Sequence, residues 1–315
     1  MKVVLHYRAS PLFRAALEAA AAAAQVDLAI VDEDDAAGFA REIADTDVLF
    51  HVLKPVTGAM FAQAPRLKLV QKIGVGVNTI DLDAARARGV AVANMPGTNS
   101  QAVAEMTLAL MFAVLRRIGA LDGATRTGRG WHPDPATLDS IGEIAGRTVG
   151  FVGFGAVPAR LAPVLAALGA EIVYTARHQR ADGAGRFVTL ETLLESADIV
   201  SLHVPLGAET RGLIGRDALA RIKRGAVLIN TARGELVDET ALVAALSDGR
   251  LRGAGLDVFA AEPIDPANPL LALANVVVTP HLAWLTPETL DRSLVVGFEN
   301  VRRVRDSKPL LNKVV

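Results

Sequence analysis

Three segments of the chain present side chains that could hold an anion and move a proton. Asn230-Thr231-Ala232-Arg233-Gly234 sets a guanidinium on a glycine turn, and Asp257-Val-Phe-Ala-Ala-Glu262-Pro263 sets carboxylates on a loop. Val276-Val-Val-Thr279-Pro280-His281 ends an apolar run on an imidazole. A guanidinium matches a carboxylate through two parallel N–H bonds. An imidazole changes charge near neutral pH and can pass a proton, and a nearby carboxylate favours its charged form. Singly, each residue has an ordinary reading: a surface arginine, a loop glutamate, a hydrogen-bonded histidine at a strand end. Yet each also follows a run that reads as a buried strand. If those strands are neighbours in one parallel sheet, the three groups meet beyond its carboxyl edge, where such sheets bind ligands.

The same edge carries a second signal. Gly153-Phe154-Gly155-Ala156-Val157-Pro158 follows an apolar run and opens an Ala/Leu-rich helical stretch. A glycine pair between strand and helix gives a tight turn and bare backbone at a helix N-terminus, which suits a dinucleotide pyrophosphate. The third fingerprint position is Pro158, not glycine or alanine. A first helical turn tolerates proline because its N–H has no intrahelical partner there. Pro163, further in, should bend this helix. An NAD site places a carboxylate about 20 residues after the first glycine, on the ribose hydroxyls. Here that neighbourhood reads Tyr174-Thr175-Ala-Arg177-His178-Gln-Arg180, with no acid. Guanidinium groups suit a 2′-phosphate, so the loop predicts NADP(H) ahead of NAD(H); the competing reading is a solvated basic loop. With a nicotinamide at this edge, Arg233, Glu262 and His281 would converge on its ring.

Such residues need a rigid scaffold. Short apolar runs alternate with amphipathic helical stretches almost from end to end. A first series comprises Val3–Tyr7, Leu28–Val31, Val48–Val52, Leu67–Ile73 and Val90–Ala93; helices such as Pro11–Ala24 and Asp81–Arg88 lie between. A second comprises Thr148–Gly153, Glu171–Thr175, Ile199–His203, Ala226–Asn230, Gly253–Val258 and Val276–Thr279. Near-continuous hydrophobic strands separated by helices predict an α/β fold of two domains, each a parallel sheet covered on both faces. A long apolar helix, Thr98–Arg117, bridges the two series, and a polar Gly/Pro-rich stretch, Arg126–Ser140, follows it.

The composition excludes several classes. At 315 residues and 51% hydrophobic content the chain can bury two cores. A net charge of -1 argues against a nucleic-acid binder, which needs a basic face. No cysteine is present, so disulfides, thiolate catalysis and Cys-ligated zinc are excluded, and no metal site is expected. MKVVLHYRAS has too short an apolar run for a signal peptide, and no stretch approaches the ~18 apolar residues of a membrane span. The expectation is a cytoplasmic protein with no membrane or nucleic-acid partner.

With these residues in view, the chain resembles the D-isomer-specific 2-hydroxyacid dehydrogenases from about Leu67 to Thr289. The matching motifs are Gly74-Val-Gly76-Val-Asn-Thr-Ile-Asp81, Asn94-Met-Pro-Gly97 leading into Ala104-Glu105, the Gly153/Gly155 turn and His203-Val-Pro205-Leu. They continue through Asn230-Thr-Ala-Arg-Gly234, Gly255-Leu-Asp-Val-Phe259, Glu262-Pro263 and Thr279-Pro-His281. Pro158 and Ala283-Trp284 depart from the family's usual residues, which leaves the pyrophosphate geometry and the substrate's side chain open.

The resemblance implies two Rossmann-like or flavodoxin-like domains with the active site in the cleft between them. A discontinuous substrate domain would span 1–98 and 285–315, and a dinucleotide-binding domain 99–284. It implies reduction of a small 2-oxo acid to the D-2-hydroxy acid: Arg233 holds the substrate, His281 donates the proton and Glu262 pairs with His281. The backbone amides of Val75, Gly76 and Val77 would bind the substrate carboxylate. His203, Val204 and Pro205 would lie along the nicotinamide ribose, with Thr210, Thr231, Ala232 and Asp257 as further cofactor contacts. Tyr174-Thr-Ala-Arg177 is similar to the NADP(H)-preferring glyoxylate/hydroxypyruvate reductases of the family, and a homodimer built on Thr98–Arg117 is the family expectation. Trp284 could wall a site for a bulkier 2-oxo acid or pack an interface. The non-enzymatic alternative is a dinucleotide-sensing protein like the corepressors that share this fold.

Overall fold

A strand buried along its whole length must lie in the middle of a sheet covered on both faces. Val48–His51, Ile199–Leu202, Val227–Asn230 and Gly253–Leu256 are four such strands. The computed structural model describes residues 1–181 and 185–315. The chain divides into two compact units, one of Met1–Asn99 with Trp284–Val315, the other Ser100–Ala283.

The first unit holds a five-stranded sheet of β1 (Lys2–His6), β2 (Asp27–Val31), β3 (Val48–His51), β4 (Leu69–Lys72) and β5 (Ala91–Ala93). Its order is β2-β1-β3-β4-β5 and every pairing is parallel. That is the flavodoxin-type doubly wound order. The C-terminal helix Pro287–Arg305 belongs to this unit. Its N-cap Thr286 accepts from the Thr289 N–H, and Arg302, Arg303 and Arg305 lie in its last turn, where they complement the helix dipole.

The second unit holds seven strands: β6 (Thr148–Val152), β7 (Glu171–Thr175), β8 (Arg186–Phe187), β9 (Ile199–Leu202), β10 (Val227–Asn230), β11 (Gly253–Leu256) and β12 (Val276–Val278). Their order is β12-β11-β10-β9-β6-β7-β8, all parallel. The order reverses between β6 and β9, the switch point where a Rossmann sheet binds its dinucleotide. Sequence patterning predicts six strands here and misses β8. This strand is two exposed residues long, so no apolar run marks it.

The bridging helix is shorter than expected, Ser100–Leu115. It stops because Arg117 takes a left-handed conformation (φ 54°), after which a second helix, Ile118–Arg126, begins. The helix after β6, Ala156–Ala167, continues through Pro163. Pro158, Leu161, Ala162 and Leu165 are buried along it, and this packing holds the segment helical despite the missing N–H.

Candidate active site

β10, β11 and β12 are consecutive neighbours in the second unit's sheet, so the three chemical segments leave it side by side. Asn230, the last residue of β10, builds the arginine turn. Its Nδ2 donates to the Arg233 carbonyl at 2.8 Å, and its Oδ1 accepts the Ala232 N–H at 3.0 Å. Gly234 then lies against the next loop so closely that a Cβ there would sit 1.9 Å from the Phe259 carbonyl carbon. Only glycine fits. The loop it touches carries Glu262, whose Oε1 accepts the Phe259 N–H at 2.9 Å and whose Oε2 meets His281 Nδ1 at 2.6 Å. The sheet thus brings Arg233, Glu262 and His281 into one neighbourhood.

Their electrostatics are coupled. Burial disfavours ionised Glu262, yet the hydrogen bond and charge of His281, the Phe259 N–H and the Arg233 charge outweigh it and hold its pKa below the ordinary range. Burial lowers the pKa of Arg233, opposed by Glu262 and Glu235. The set therefore holds a fixed anion between a guanidinium and an imidazole.

His281 has φ 55°, an uncommon conformation for a side chain with a Cβ. Asp257, fully buried at the end of β11, surrounds it with hydrogen bonds. The Asp257 carbonyl accepts the His281 N–H at 2.8 Å. Its carboxylate accepts Thr279 Oγ1 at 2.6 Å, the Leu282 N–H at 3.0 Å and the Ala283 N–H at 2.9 Å. Burial raises the Asp257 pKa against the pull of those donors and of His281. Asp257 is expected as a cofactor contact; its engagement with residues 279–283 is invisible in sequence, because it depends on two strands becoming neighbours.

At the switch point, Gly153 has φ 90° and packs on the His203 carbonyl and Val204, where a Cβ would come within 2.8 Å. Gly155 differs: a Cβ there would have no neighbour within 4 Å. It is also the N-cap of the Ala156–Ala167 helix, with no side chain capping the first-turn amides. Open space over bare amides at a helix start is what a pyrophosphate requires, so these residues fit a nicotinamide dinucleotide. Pro158 falls within the first turn, where its missing N–H costs no intrahelical bond.

Beyond β7, Thr175 is half-buried, and Arg177 and His178 are exposed. The Arg180 N–H donates to Tyr174 Oη at 2.8 Å, and its guanidinium lies 5.7 Å from the Phe154 ring centroid. Phe154 in turn contacts Tyr174, with ring centroids 4.4 Å apart. His203 Nε2 is 2.8 Å from Ser201 Oγ, and burial pushes its pKa down to about 3, so the ring is neutral. The remaining predicted cofactor hydroxyls are engaged by their own chain. Thr231 Oγ1 meets Thr107 Oγ1 at 2.9 Å, while Thr210 Oγ1 donates to the Pro205 carbonyl at 2.7 Å and accepts the Gly207 N–H at 2.8 Å.

In the first unit, Gly74 (φ 136°) leads β4 into the Val75-Gly76-Val77 loop. Asn94 Nδ2 donates to the Val75 carbonyl at 2.8 Å, and the Ile80 N–H donates to the Val77 carbonyl. The carbonyls are thus turned to the protein, while Val75 itself is 43% exposed. Sequence reasoning missed the buried polar group behind this loop. Lys72 bonds the Val52 carbonyl, and His51 Nε2 lies 2.9 Å from Thr79 Oγ1. Trp284 is buried, with its ring centroid 6.3 Å from that of Tyr7.

A family model for the NAD-binding domain of D-isomer-specific 2-hydroxyacid dehydrogenases matches residues 108–283. A glyoxylate reductase of Korarchaeum cryptofilum is 41% identical over 270 residues, covering 83% of this chain and 80% of that protein. The chain belongs to the D-isomer-specific 2-hydroxyacid dehydrogenases. As a member, it is a nicotinamide-dependent oxidoreductase acting on the CH–OH group of 2-hydroxy acids. A D-3-phosphoglycerate dehydrogenase of Mycobacterium tuberculosis is also 41% identical, over 283 residues and 88% of this chain, but the match spans only 53% of that longer relative. The solved TT0316 protein of Thermus thermophilus superposes with a TM-score of 0.89 at 36% identity, and each chain is covered completely. Among the described residues, no helix is long and apolar enough to cross a membrane, and no group of three His, Cys, Asp or Glu could hold a metal.

Proposed function

We propose that this dehydrogenase reduces a small 2-oxo acid of the glyoxylate or hydroxypyruvate type to the D-2-hydroxy acid, with NADPH preferred over NADH. The observation that carries the chemistry is the 2.6 Å contact between Glu262 Oε2 and His281 Nδ1. Glu262 engages one ring nitrogen and stabilises the charged imidazole, so Nε2 is the atom that gives its proton to the substrate's carbonyl oxygen. When bound, the nicotinamide supplies the hydride to the carbonyl carbon. Arg233 holds the substrate carboxylate and polarises the carbonyl, and the Val75, Gly76 and Val77 amides add hydrogen bonds to the carboxylate. Gly153 to Val157 hold the pyrophosphate; His203, Val204, Pro205, Thr210, Thr231, Ala232 and Asp257 flank the rest of the cofactor. The preference for NADPH rests on Arg177 and Arg180 beyond Thr175 and on a segment, Tyr174 to Ala181, that contains no acid.

One observation favours a second reading. Identity to the D-3-phosphoglycerate dehydrogenase equals that to the glyoxylate reductase, which keeps a bulkier 2-oxo acid in view, with Trp284 setting the size of its side chain. The intact Arg233, Glu262 and His281 set favours an enzyme over the corepressor-like alternative, because proton transfer needs that set and dinucleotide binding alone does not. Steady-state oxidation of NADPH and NADH against a panel of 2-oxo acids tests all three readings. Turnover fastest with glyoxylate or hydroxypyruvate and NADPH is expected; cofactor binding without turnover of any 2-oxo acid overturns the proposal.

A homodimer is part of the same reading. Ile118, Trp131 and Leu138, beyond the Ser100–Leu115 helix, are 52%, 83% and 53% exposed, and a partner would cover them. Light scattering on the eluted protein checks the mass. The absence of cysteine fits a cytoplasmic protein.

A further inference from the structure

The proton donor occupies a backbone conformation it would not choose. A non-glycine residue in the left-handed region is strained and persists only where its surroundings over-determine it. At His281 (φ 55°) one residue supplies several of those restraints, alongside the Thr279 carbonyl, which accepts the same N–H at 3.1 Å, and Glu262, which holds the ring. The Asp257 carbonyl holds the His281 N–H at 2.8 Å. Its carboxylate holds Thr279 Oγ1 (2.6 Å) ahead of the histidine, and the Leu282 (3.0 Å) and Ala283 (2.9 Å) N–H groups after it. Asp257 is fully buried, so no water competes for these donors. It also sits at the end of β11, the strand paired with β12, and therefore ties the histidine loop to the sheet that carries Arg233 and Glu262.

We propose that Asp257 is the positioning residue of the proton donor: its carboxylate fixes residues 279–283 so that the His281 ring meets Glu262 and presents its other nitrogen to substrate. This goes beyond a cofactor contact, and it rests on His281 being the proton donor. Asparagine at 257 would turn an NH2 group toward N–H donors, which removes at least one of the three bonds and releases the strained turn. A misplacement of about 1 Å is enough to cost roughly 10²-fold in turnover.

The test uses the whole enzyme, with His281→Ala as the check on the underlying reading. Wild-type turnover by His281→Ala would remove the reading itself, whatever Asp257 does. Given a crippled His281→Ala, Asp257→Asn is expected to lower kcat at saturating NADPH by about 10²-fold, a loss that any rise in the NADPH dissociation constant, measured by nucleotide fluorescence, does not account for. Its pH profile should match that of Glu262→Gln, and the double variant should be no worse than either single one, because both act by uncoupling the same imidazole. If Asp257→Asn does not fold, Thr279→Val decides the matter. That variant deletes one of the three donors and should lower kcat several-fold, with Thr279→Ser restoring it. Weaker NADPH binding with kcat and pH profile unmoved would make Asp257 a cofactor contact alone and overturn the proposal; so would additive losses in the double variant, or a Thr279→Val enzyme with wild-type kcat.

Discussion

Substitution of Gly234 by alanine should disable the enzyme through the distance between two loops. The added Cβ would lie 1.9 Å from the Phe259 carbonyl carbon, 2.1 Å from its oxygen and 2.4 Å from the Ala260 nitrogen, whereas ordinary contact begins near 3.4 Å. These neighbours are backbone and cannot rotate away, so the turn and the loop must separate by more than 1 Å. Neither can move alone. Asn230 pins the Arg233 turn through bonds of 2.8 and 3.0 Å, and the Glu262 carboxylate is bonded to the Phe259 N–H on one oxygen and to His281 on the other. Separation therefore shifts Arg233 away from Glu262, or draws Glu262 off His281. Overpacking of this kind costs about 1–3 kcal/mol of stability, and the displacement should cost about 10²-fold in kcat/KM. For a unit of this size the stability loss corresponds to a Tm drop of roughly 2–12 °C. Steady-state reduction of glyoxylate and calorimetry on the same preparation measure the two quantities. A Gly234→Ala enzyme within about fivefold of wild-type kcat/KM, with an unchanged Tm, would refute the claim that this contact sets the spacing of the site.

Three further outcomes follow from the same geometry. Glu262→Gln should shift the pH profile of reduction to lower pH, because losing the anion at 2.6 Å removes its support for the charged imidazole; an unmoved profile would show the pair to be uncoupled. Arg177→Ala should erode a preference for NADPH of at least ~10-fold in kcat/KM, chiefly through KM for NADPH, while leaving NADH use unaltered; a wild-type enzyme that uses NADH equally well would rule the preference out. His6 is stacked on Phe39 at 3.9 Å and its pKa is pushed down to about 4, first by burial and then by the Lys54 charge. The unfolded chain takes up a proton near pH 6.5 that the folded ring refuses, so this histidine's contribution is intact above that pH and is lost as pH falls from 6.5 toward 4, at ~1.4 kcal/mol per pH unit. His6→Phe keeps the stack and should flatten the fall of Tm across that window; an equally steep fall would mean that His6 is not its source.

Arg233, Glu262 and His281 were legible in the sequence because each comes just after an apolar run, and the end of a buried parallel strand is where ligands bind. The rule needs only chain order and burial, and both are written in residue type. What a polar side chain then does was not legible. Thr231 and Thr210 are expected as cofactor contacts, but that their hydroxyls also bond Thr107 and the Pro205 carbonyl cannot be read locally, since one of those partners lies on a helix 124 residues away. Asn230 is the instructive exception. An asparagine two or three residues before a turn can bond that turn's own backbone, so its role could be inferred from spacing alone. Asp257 is the opposite case. Its four acceptor contacts reach Thr279, His281, Leu282 and Ala283, more than 20 residues away, and they exist only because β11 and β12 pair in register. Strand order supplied the acid, the arginine and the histidine; strand pairing supplied the hydrogen bonds around the left-handed His281. Sequence periodicity predicts that strands form, but it carries no register, and the placement of His281 depends on register.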